Sequence, residues 1–209
     1  MANADRVVEV DKVVVRGADG TPCAVFGRHV DGSVGLEVSD QDARPRLIAG
    51  VDSEGEPLLE LRHECGSLAC RLTARKGAVG LSLNDRQNLP RMAFTLDEHG
   101  DQALTFASGN GVPRIGLGVT ADGLARIDLY DSVGRLRLRL TIADDDTPGL
   151  TLTSKDESPS AMLIVGADGS PGLMFMGRDG PRLAVLSPPD CPTTVSLIDP
   201  SGRVSFQAP

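Results

Sequence analysis

The chain has 209 residues, of which 40% are hydrophobic and only 3% aromatic, with no tryptophan and one tyrosine. This length allows one domain or two small ones, and any core must be aliphatic. Aspartate and glutamate outnumber lysine and arginine 29 to 21, which disfavours a nucleic-acid or anionic-membrane surface, because phosphate binding needs a cationic footprint.

The amino-terminal residues MANADRVVEV lack the apolar stretch of a signal peptide. No segment approaches the ~18 consecutive apolar residues that a membrane span requires. We therefore expect a cytoplasmic protein without membrane insertion, and we leave open its incorporation into a particle or a non-classical export. Val7, Val8 and Val10 give residues 1–12 a partial strand pattern, which predicts a leading strand or a cap.

From residue 13 to residue 209 the sequence is one repeat domain. Each repeat contains two apolar residues separated by one residue, and this pair recurs every 22 or 23 residues. The nine pairs are Val13/Val15, Leu36/Val38, Leu59/Leu61, Leu81/Leu83, Leu104/Phe106, Ile127/Leu129, Leu150/Leu152, Leu173/Phe175 and Val195/Leu197. No linker or second domain interrupts this period.

A turn position follows each pair by five residues. It is occupied by Gly20, Ala43, Gly66, Asn88, Gly111, Gly134, Glu157, Gly180 and Gly202. Glycine and asparagine tolerate φ > 0, and an aspartate often stands three residues earlier. The spacing predicts a type I turn followed by a left-handed residue.

A second strand with its own apolar alternation follows each turn, for example at Met92, Phe94 and Leu96. A second turn then closes the repeat. These second turns are predicted at Asp31-Gly32, Glu54-Gly55, Lys76-Gly77, His99-Gly100, Asp122-Gly123, Asp145-Asp146 and Asp168-Gly169.

The stretch Arg126–Ile142 shows the repeat most clearly. Ile127 and Leu129 alternate with charged residues before a polar break at residues 131–134, and leucines alternate with arginines after it. This pattern predicts a β-hairpin with one aliphatic face, which includes Leu138, and one charged face, which includes Arg137.

We assign no residue to a metal or cofactor site. His63, Cys65 and Cys70 lie close together, but their spacing fits no usual zinc pattern. We expect these two cysteines, together with Cys23 and Cys191, to be plain thiols, because the chain has no secretory signal. The adjacent carboxylates of residues 144–146 are interpreted as a solvated turn rather than a Ca²⁺ site.

Arginines recur next to strand starts on the charged face, at Arg91, Arg114, Arg137 and Arg182. They either form a stripe that binds an anionic glycan or pair with carboxylates on neighbouring strands, and we favour the pairing.

No catalytic residue is assigned either. His29, His63 and His99 lie at or near predicted turns without a nucleophile motif, and the glycines follow the repeat rather than a phosphate-binding pattern. We therefore expect that the chain is not an enzyme. The less favoured alternative, a hydrolase built on a β-helix, requires carboxylates that converge from equivalent positions of adjacent repeats.

The fold class is all-β, with nine two-strand repeats that form an elongated antiparallel meander. Its aliphatic face must be covered, because a monomer tolerates a bare apolar patch of only a few hundred Å². We prefer a homotrimer in which three chains form a prism or spiral around a shared core. The alternatives are a β-solenoid, in which each repeat coils around its own core, and a β-propeller.

The unit Ile127-x-Leu129-x-Asp131-x-x-Gly134, with Arg137, Leu138 and Leu140 after it, resembles a hairpin repeat of uncharacterised bacterial proteins. This resemblance covers residues 7–206 and implies no activity. The architecture is more loosely similar to the shafts of trimeric viral and phage fibres. We therefore expect a non-enzymatic spacer or scaffold in a fibre-like homo-oligomer, with a glycan- or protein-binding module that uses the polar face as the alternative.

Overall fold

The computed structural model describes residues 10–143 and 145–208, and within these ranges the chain is all-β. No helix occurs in the described residues, so none of them forms a helix that could cross a membrane. The predicted leading strand falls mostly on residues 1–9, which lie outside the described ranges.

The described residues form eighteen strands, two for each predicted repeat. They are β1 (Lys12–Arg16), β2 (Pro22–Arg28), β3 (Val34–Ser39), β4 (Pro45–Val51), β5 (Pro57–Arg62), β6 (Leu68–Arg75), β7 (Ala78–Asn84), β8 (Pro90–Leu96), β9 (Gln102–Ala107), β10 (Pro113–Val119), β11 (Ala125–Tyr130), β12 (Leu136–Ile142), β13 (Pro148–Thr153), β14 (Pro159–Val165), β15 (Pro171–Gly177), β16 (Gly180–Leu186), β17 (Thr194–Ile198) and β18 (Val204–Ala208). The predicted hairpin within residues 126–142 is confirmed as β11 and β12.

The chain divides into two compact halves, residues 1–90 and 91–209. In the first half, β1 to β7 pair in sequence order, and every pairing is antiparallel. In the second half, β8 to β18 do the same without a break. This is the predicted antiparallel meander. It is neither a parallel solenoid nor a set of four-stranded propeller blades.

The turn that joins the two strands of each repeat is here called the first turn. Its predicted left-handed residue is present in eight of the nine repeats, whereas Gly180 of the eighth repeat is the first residue of β16 and has φ of 135°. Gly134 has φ of 85° and Gly20 the same value, while Ala43, Asn88 and Glu157 adopt 58°, 65° and 63° without being glycine. In the sixth repeat the N–H of Gly134 donates to the carbonyl of Asp131, as in a type I turn. The Asp131 carboxylate accepts from the backbone N–H groups of Val133 and Arg135, each at 3.0 Å.

The turn that joins one repeat to the next, here called the second turn, usually has the same geometry, with φ of 95° at Gly123 and 63° at Asp146. The shorter spacings in the sequence arise where a two-residue turn replaces the usual five-residue connection. One lies at Lys76 and Gly77, between β6 and β7, and the other at Arg178 and Asp179, between β15 and β16. The sequence period therefore records the length of each connection.

The antiparallel register places the apolar residues of the repeats in two continuous rows on one face of each half, which we name the apolar face. In the first half the rows are Val15, Ala24, Val38, Leu47, Leu61, Cys70, Leu83 and Val13, Phe26, Leu36, Ala49, Leu59, Leu72, Leu81. In the second half they are Met92, Phe106, Ile115, Leu129, Leu138, Leu152, Ala161, Phe175, Leu183, Leu197, Phe206 and Phe94, Leu104, Leu117, Ile127, Leu140, Leu150, Leu163, Leu173, Val185, Val195, Ala208. Leu138 lies on this face and Arg137 on the opposite one, the polar face.

The left-handed turn positions predict opposite effects for two matched substitutions. Gly169 has φ of 82°, and a Cβ added there would meet no atom within 4 Å, so Gly169→Ala should lower the free energy of unfolding by about 1 kcal/mol through backbone strain alone. Glu157→Gly should raise it by a few tenths to about 1 kcal/mol, because it removes that strain. Urea unfolding of both variants, followed by circular dichroism, tests this; effects of the same sign would contradict the turn assignment.

We predict that the protein loses stability in acid, because the carboxylates of its turn aspartates have lowered pKa values in the folded state. Their carboxylates accept hydrogen bonds from turn hydroxyl and N–H groups, which lowers the pKa of Asp19, Asp31, Asp40, Asp52, Asp122, Asp131, Asp145, Asp156, Asp168 and Asp199. For Asp156, the hydroxyls of Ser154 and Ser158 lower the pKa to about 2.

A carboxylate whose pKa is depressed by folding stabilises the native state above its unfolded pKa of about 3.9, and this contribution is lost as the pH falls through the folded value. We expect the free energy of unfolding to decrease steadily from about pH 4 to about pH 2 at fixed protein concentration. The variant Asp156→Asn should show a smaller decrease. A flat profile over this range would contradict the role of the turn carboxylates.

Candidate interaction surfaces

The side chains of the apolar face are exposed or half-buried, and none of them is buried. Phe26 is 58% exposed, Leu163 50%, Phe175 44% and Leu140 41%. Among the described hydrophobic residues only Ala184, at 9% exposure, is buried, and it lies on the polar face, opposite Met174 and Ser196. Within each half, no described segment covers the apolar face.

The apolar face of the second half contains an open groove of about 790 Å³. Its lining comes mainly from the aliphatic rows of β8 to β14, including Phe94, Leu117, Ile127, Leu140 and Leu163. Because these side chains meet only their neighbours in the same sheet, the groove is suited to another apolar surface rather than to a polar ligand.

The total exposed area supports the same conclusion. A folded monomer of 21.9 kDa typically exposes about 9,300 Å². This chain exposes 13779 Å². The difference of roughly 4,500 Å² falls within the range of areas that obligate protein–protein interfaces bury.

The polar face contains two buried carboxylates that the sequence pattern did not single out. Asp128 is 2% exposed and Glu60 is 3% exposed. Each stands between the two apolar residues of its repeat and faces an arginine directly across the neighbouring strand, Arg139 for Asp128 and Arg71 for Glu60. The sequence contains the two members of each carboxylate–arginine pair, but it shows that they face each other only once the register between the two strands is known.

Asp128 accepts two hydrogen bonds from Arg139, at 2.7 and 2.9 Å, and a third from the hydroxyl of Tyr130 at 3.2 Å. Burial and the negative charge of Asp128 raise the pKa of Tyr130, and the hydrogen bonds to Asp128 raise the pKa of Arg139. These interactions compensate the desolvation of the carboxylate, so the group forms a structural ion pair.

Glu60 accepts hydrogen bonds from both Arg71 and Arg62. Burial alone would raise the pKa of Glu60, but the hydrogen bonds and charges of the two arginines outweigh it and hold the pKa below its usual value. Glu60 is therefore ionised near neutral pH, and its oxygens are occupied by internal partners.

The ion pair between Asp128 and Arg139 predicts strong coupling between the two positions. Asp128→Ala should lower the free energy of unfolding by about 1 to 3 kcal/mol, because it leaves the partly buried guanidinium without its acceptor. The double variant Asp128→Leu, Arg139→Leu should be much less destabilised. Urea unfolding of the single and double variants measures the coupling, and strictly additive effects would contradict it.

Two of the four arginines predicted on the charged face, Arg114 and Arg182, form hydrogen bonds to backbone carbonyls of their own chain. Arg114 donates to the carbonyl of Tyr130 at 3.1 Å, and Arg182 donates to the carbonyl of Asp199 at 2.8 Å. Arg46, which the sequence pattern did not include, donates in the same way to the carbonyl of Arg62 at 3.1 Å. Each bond joins the start of one strand to the end of the next odd-numbered strand or to the residue after it. Arg182 also lies 3.7 Å from Asp179, and Arg46 lies 3.3 Å from Asp40, so ion pairs accompany these carbonyl contacts.

The residues weighed as metal ligands are separated by the fold. Nε2 of His63 lies 3.1 Å from the carbonyl oxygen of Asn84, the thiol of Cys65 lies 3.1 Å from the Ser67 hydroxyl, and Cys70 lies in the apolar rows. All four cysteines are free thiols. No group of three or more possible ligands occurs among the described residues, and Asp144 lies outside them.

A pocket of about 200 Å³ on the polar face of the first half is lined in part by His29, Glu37, Asp52 and Glu60. Asp52 is paired with Arg75, and Glu60 with Arg71 and Arg62. The pocket follows from the glycine pair Gly35 and Gly50, where an added Cβ would lie 2.4 Å and 2.2 Å from backbone oxygens of the neighbouring strand. Close strand approach, rather than converging free carboxylates, explains this cavity.

The two long edges of the second half differ in charge. The second turns and the strand starts beside them form the acidic rim. Its anions are Asp97, Glu98, Asp101, Asp122, Asp145, Asp146, Asp168 and Asp190, and Arg126 at the start of β11 is the cation among its described residues. The first turns and the strand starts beside them form the basic rim. Its cations are Arg91, Arg114, Arg135, Arg137, Lys155, Arg178, Arg182 and Arg203, and its anions are Asp131, Asp156, Glu157, Asp179 and Asp199.

No protein-family model matches the sequence, and no curated protein matches it significantly. A search of solved structures found a similarity to the SAS-4 (dCPAP) TCP domain of Drosophila melanogaster, solved in complex with a proline-rich motif of Ana2 (dSTIL). The identity is 10% and the TM-score 0.42, with 93% of this chain and 95% of that chain covered.

Proposed function

We propose that this repeat protein is a non-catalytic spacer or scaffold whose copies associate through the apolar face into a fibre-like homo-oligomer, with a trimer as the preferred state. We place this assembly in the cytoplasm. The observation that carries the proposal is the apolar face itself, with two rows of aliphatic and aromatic side chains that no described segment of the same half covers.

Burial of this face supplies the stability that the isolated chain lacks. Burial of apolar surface contributes about 25 cal/mol per Å², whereas a sheet with one bare aliphatic face leaves most of that contribution unrealised. A second copy is the partner that this surface fits best, because the rows repeat without interruption and have no charged residue within them.

Three copies can enclose one shared core, since each apolar face is then covered by the other two. The strand regions rather than the loops would form this core, and the polar faces with their ion pairs would remain outward.

The proposal predicts that a charge on the apolar face disrupts association, whereas the same charge one residue away does not. Leu140→Asp should weaken self-association at least tenfold, because an unpaired carboxylate would be buried between copies. Thr141→Asp is the matched control, since Thr141 lies on the polar face opposite Arg126.

Sedimentation velocity over a range of protein concentrations measures the effect, with circular dichroism to confirm that both variants retain the β structure. Equal association of the two variants would refute the apolar face as the interface.

A further inference from the structure

We propose that the copies of the oligomer are related by a rotation axis that follows the direction in which the strands succeed one another, so that the acidic rim of one copy lies beside the basic rim of the next. This inference rests on the proposed function and specifies the arrangement of the partner. It identifies a second contact between copies, along the turns, in addition to the apolar face.

Two arrangements bring identical apolar faces together. If the rotation axis is parallel to the strands, the first turns of every copy lie at the same end of the axis, and the acidic second turns gather at the other end. If the axis is perpendicular to the strands and follows their succession, the first turns of one copy lie beside the second turns of the next. Dimers and trimers can adopt either arrangement, so the apolar face alone does not choose between them.

The charges of the two rims favour the perpendicular axis. On the acidic rim, the carboxylates of Glu98, Asp122, Asp145, Asp168 and Asp190 are all exposed. Placing two or three such rims together at one end would add like charges at short range, which is unfavourable and is only partly screened within a Debye length of about 8 Å.

The perpendicular axis instead gives each acidic rim a cationic neighbour. Arg114, Arg135, Lys155, Arg178 and Arg203 are exposed on the basic rim. Arg114 and Arg135 use part of their donor capacity on carbonyls of their own chain, at Tyr130 and Lys155, which fixes the guanidinium groups in place without removing their charge. Summed along the second half, the acidic rim then lies beside the rim that has more cations than anions, because Arg91, Arg114, Arg137 and Arg182 stand at its strand starts. Individual turns do not all match in this way, since Asp145 and Asp146 lie beside the net-negative turn of residues 154–158.

The arrangement also fixes which turns meet. Rotation about the perpendicular axis keeps each repeat at its own level, so that the turn before β11 in one copy lies beside the turn after β11 in the next. Ala121 and Ser132 are exposed positions in these two turns. A cross-link between these two positions would therefore show directly that the two turns of neighbouring copies lie side by side.

The test uses full-length chains in which Cys23, Cys65 and Cys191 are replaced by serine and Cys70 by alanine. One variant then carries Ala121→Cys and the other Ser132→Cys, with tags of different length. The two are expressed separately and together, and each preparation is treated with a short bifunctional maleimide.

We expect the co-expressed chains to give cross-linked pairs that contain one copy of each variant, at least tenfold more than either variant gives alone. Cross-linking of each variant to itself, with little in the mixture, would overturn the inference and indicate the parallel axis. Light scattering of the same samples before treatment shows whether the chains associate at all, which distinguishes a failure of the proposed function from a failure of the proposed arrangement. Monomeric chains would refute the proposed function, whereas oligomers with like-to-like cross-links would refute only the arrangement.

Discussion

The whole structure depends on the two-residue period of its strands combined with antiparallel pairing. In every repeat the aliphatic residues alternate with polar ones, and the register aligns them from strand to strand, as with Leu129, Leu138 and Leu152. A one-residue slip at any junction would transfer a strand's apolar residues to the other face. Within each half, this alignment produces an ordered apolar surface on one side of the strands.

The turns stabilise that register. The left-handed residue of eight of the nine first turns fixes the length and twist of the hairpin, and the turn aspartates satisfy backbone N–H groups that would otherwise compete for the ladder. The polar face adds a second set of constraints, in which Arg114 and Arg182 join neighbouring odd- and even-numbered strands, and Asp128 and Glu60 join strands within a repeat. Aliphatic packing on one face and directional bonds on the other thus act on the same strand pairs.

The strands, the turns and the two faces could be predicted from the sequence because each depends on local spacing. Even Ala43 and Glu157, which are not glycine, were placed at left-handed positions by the repeat alone. The buried ion pair of Asp128 was not predicted, because alternation assigns a charged residue to the polar face without saying whether a partner lies opposite it. The carbonyl contacts of Arg114 and Arg182 were not predicted either, because alternation does not say which backbone oxygen lies within reach of a guanidinium.

The central claim is that other copies of the chain cover the apolar face. Its most direct test is the absolute mass of the unmodified protein by sedimentation equilibrium or light scattering. The account predicts a mass that is a multiple of 21.9 kDa, near 66 kDa for the preferred trimer. A mass of 21.9 kDa that persists at high protein concentration would contradict it, because the apolar face would then remain exposed to water in the native state.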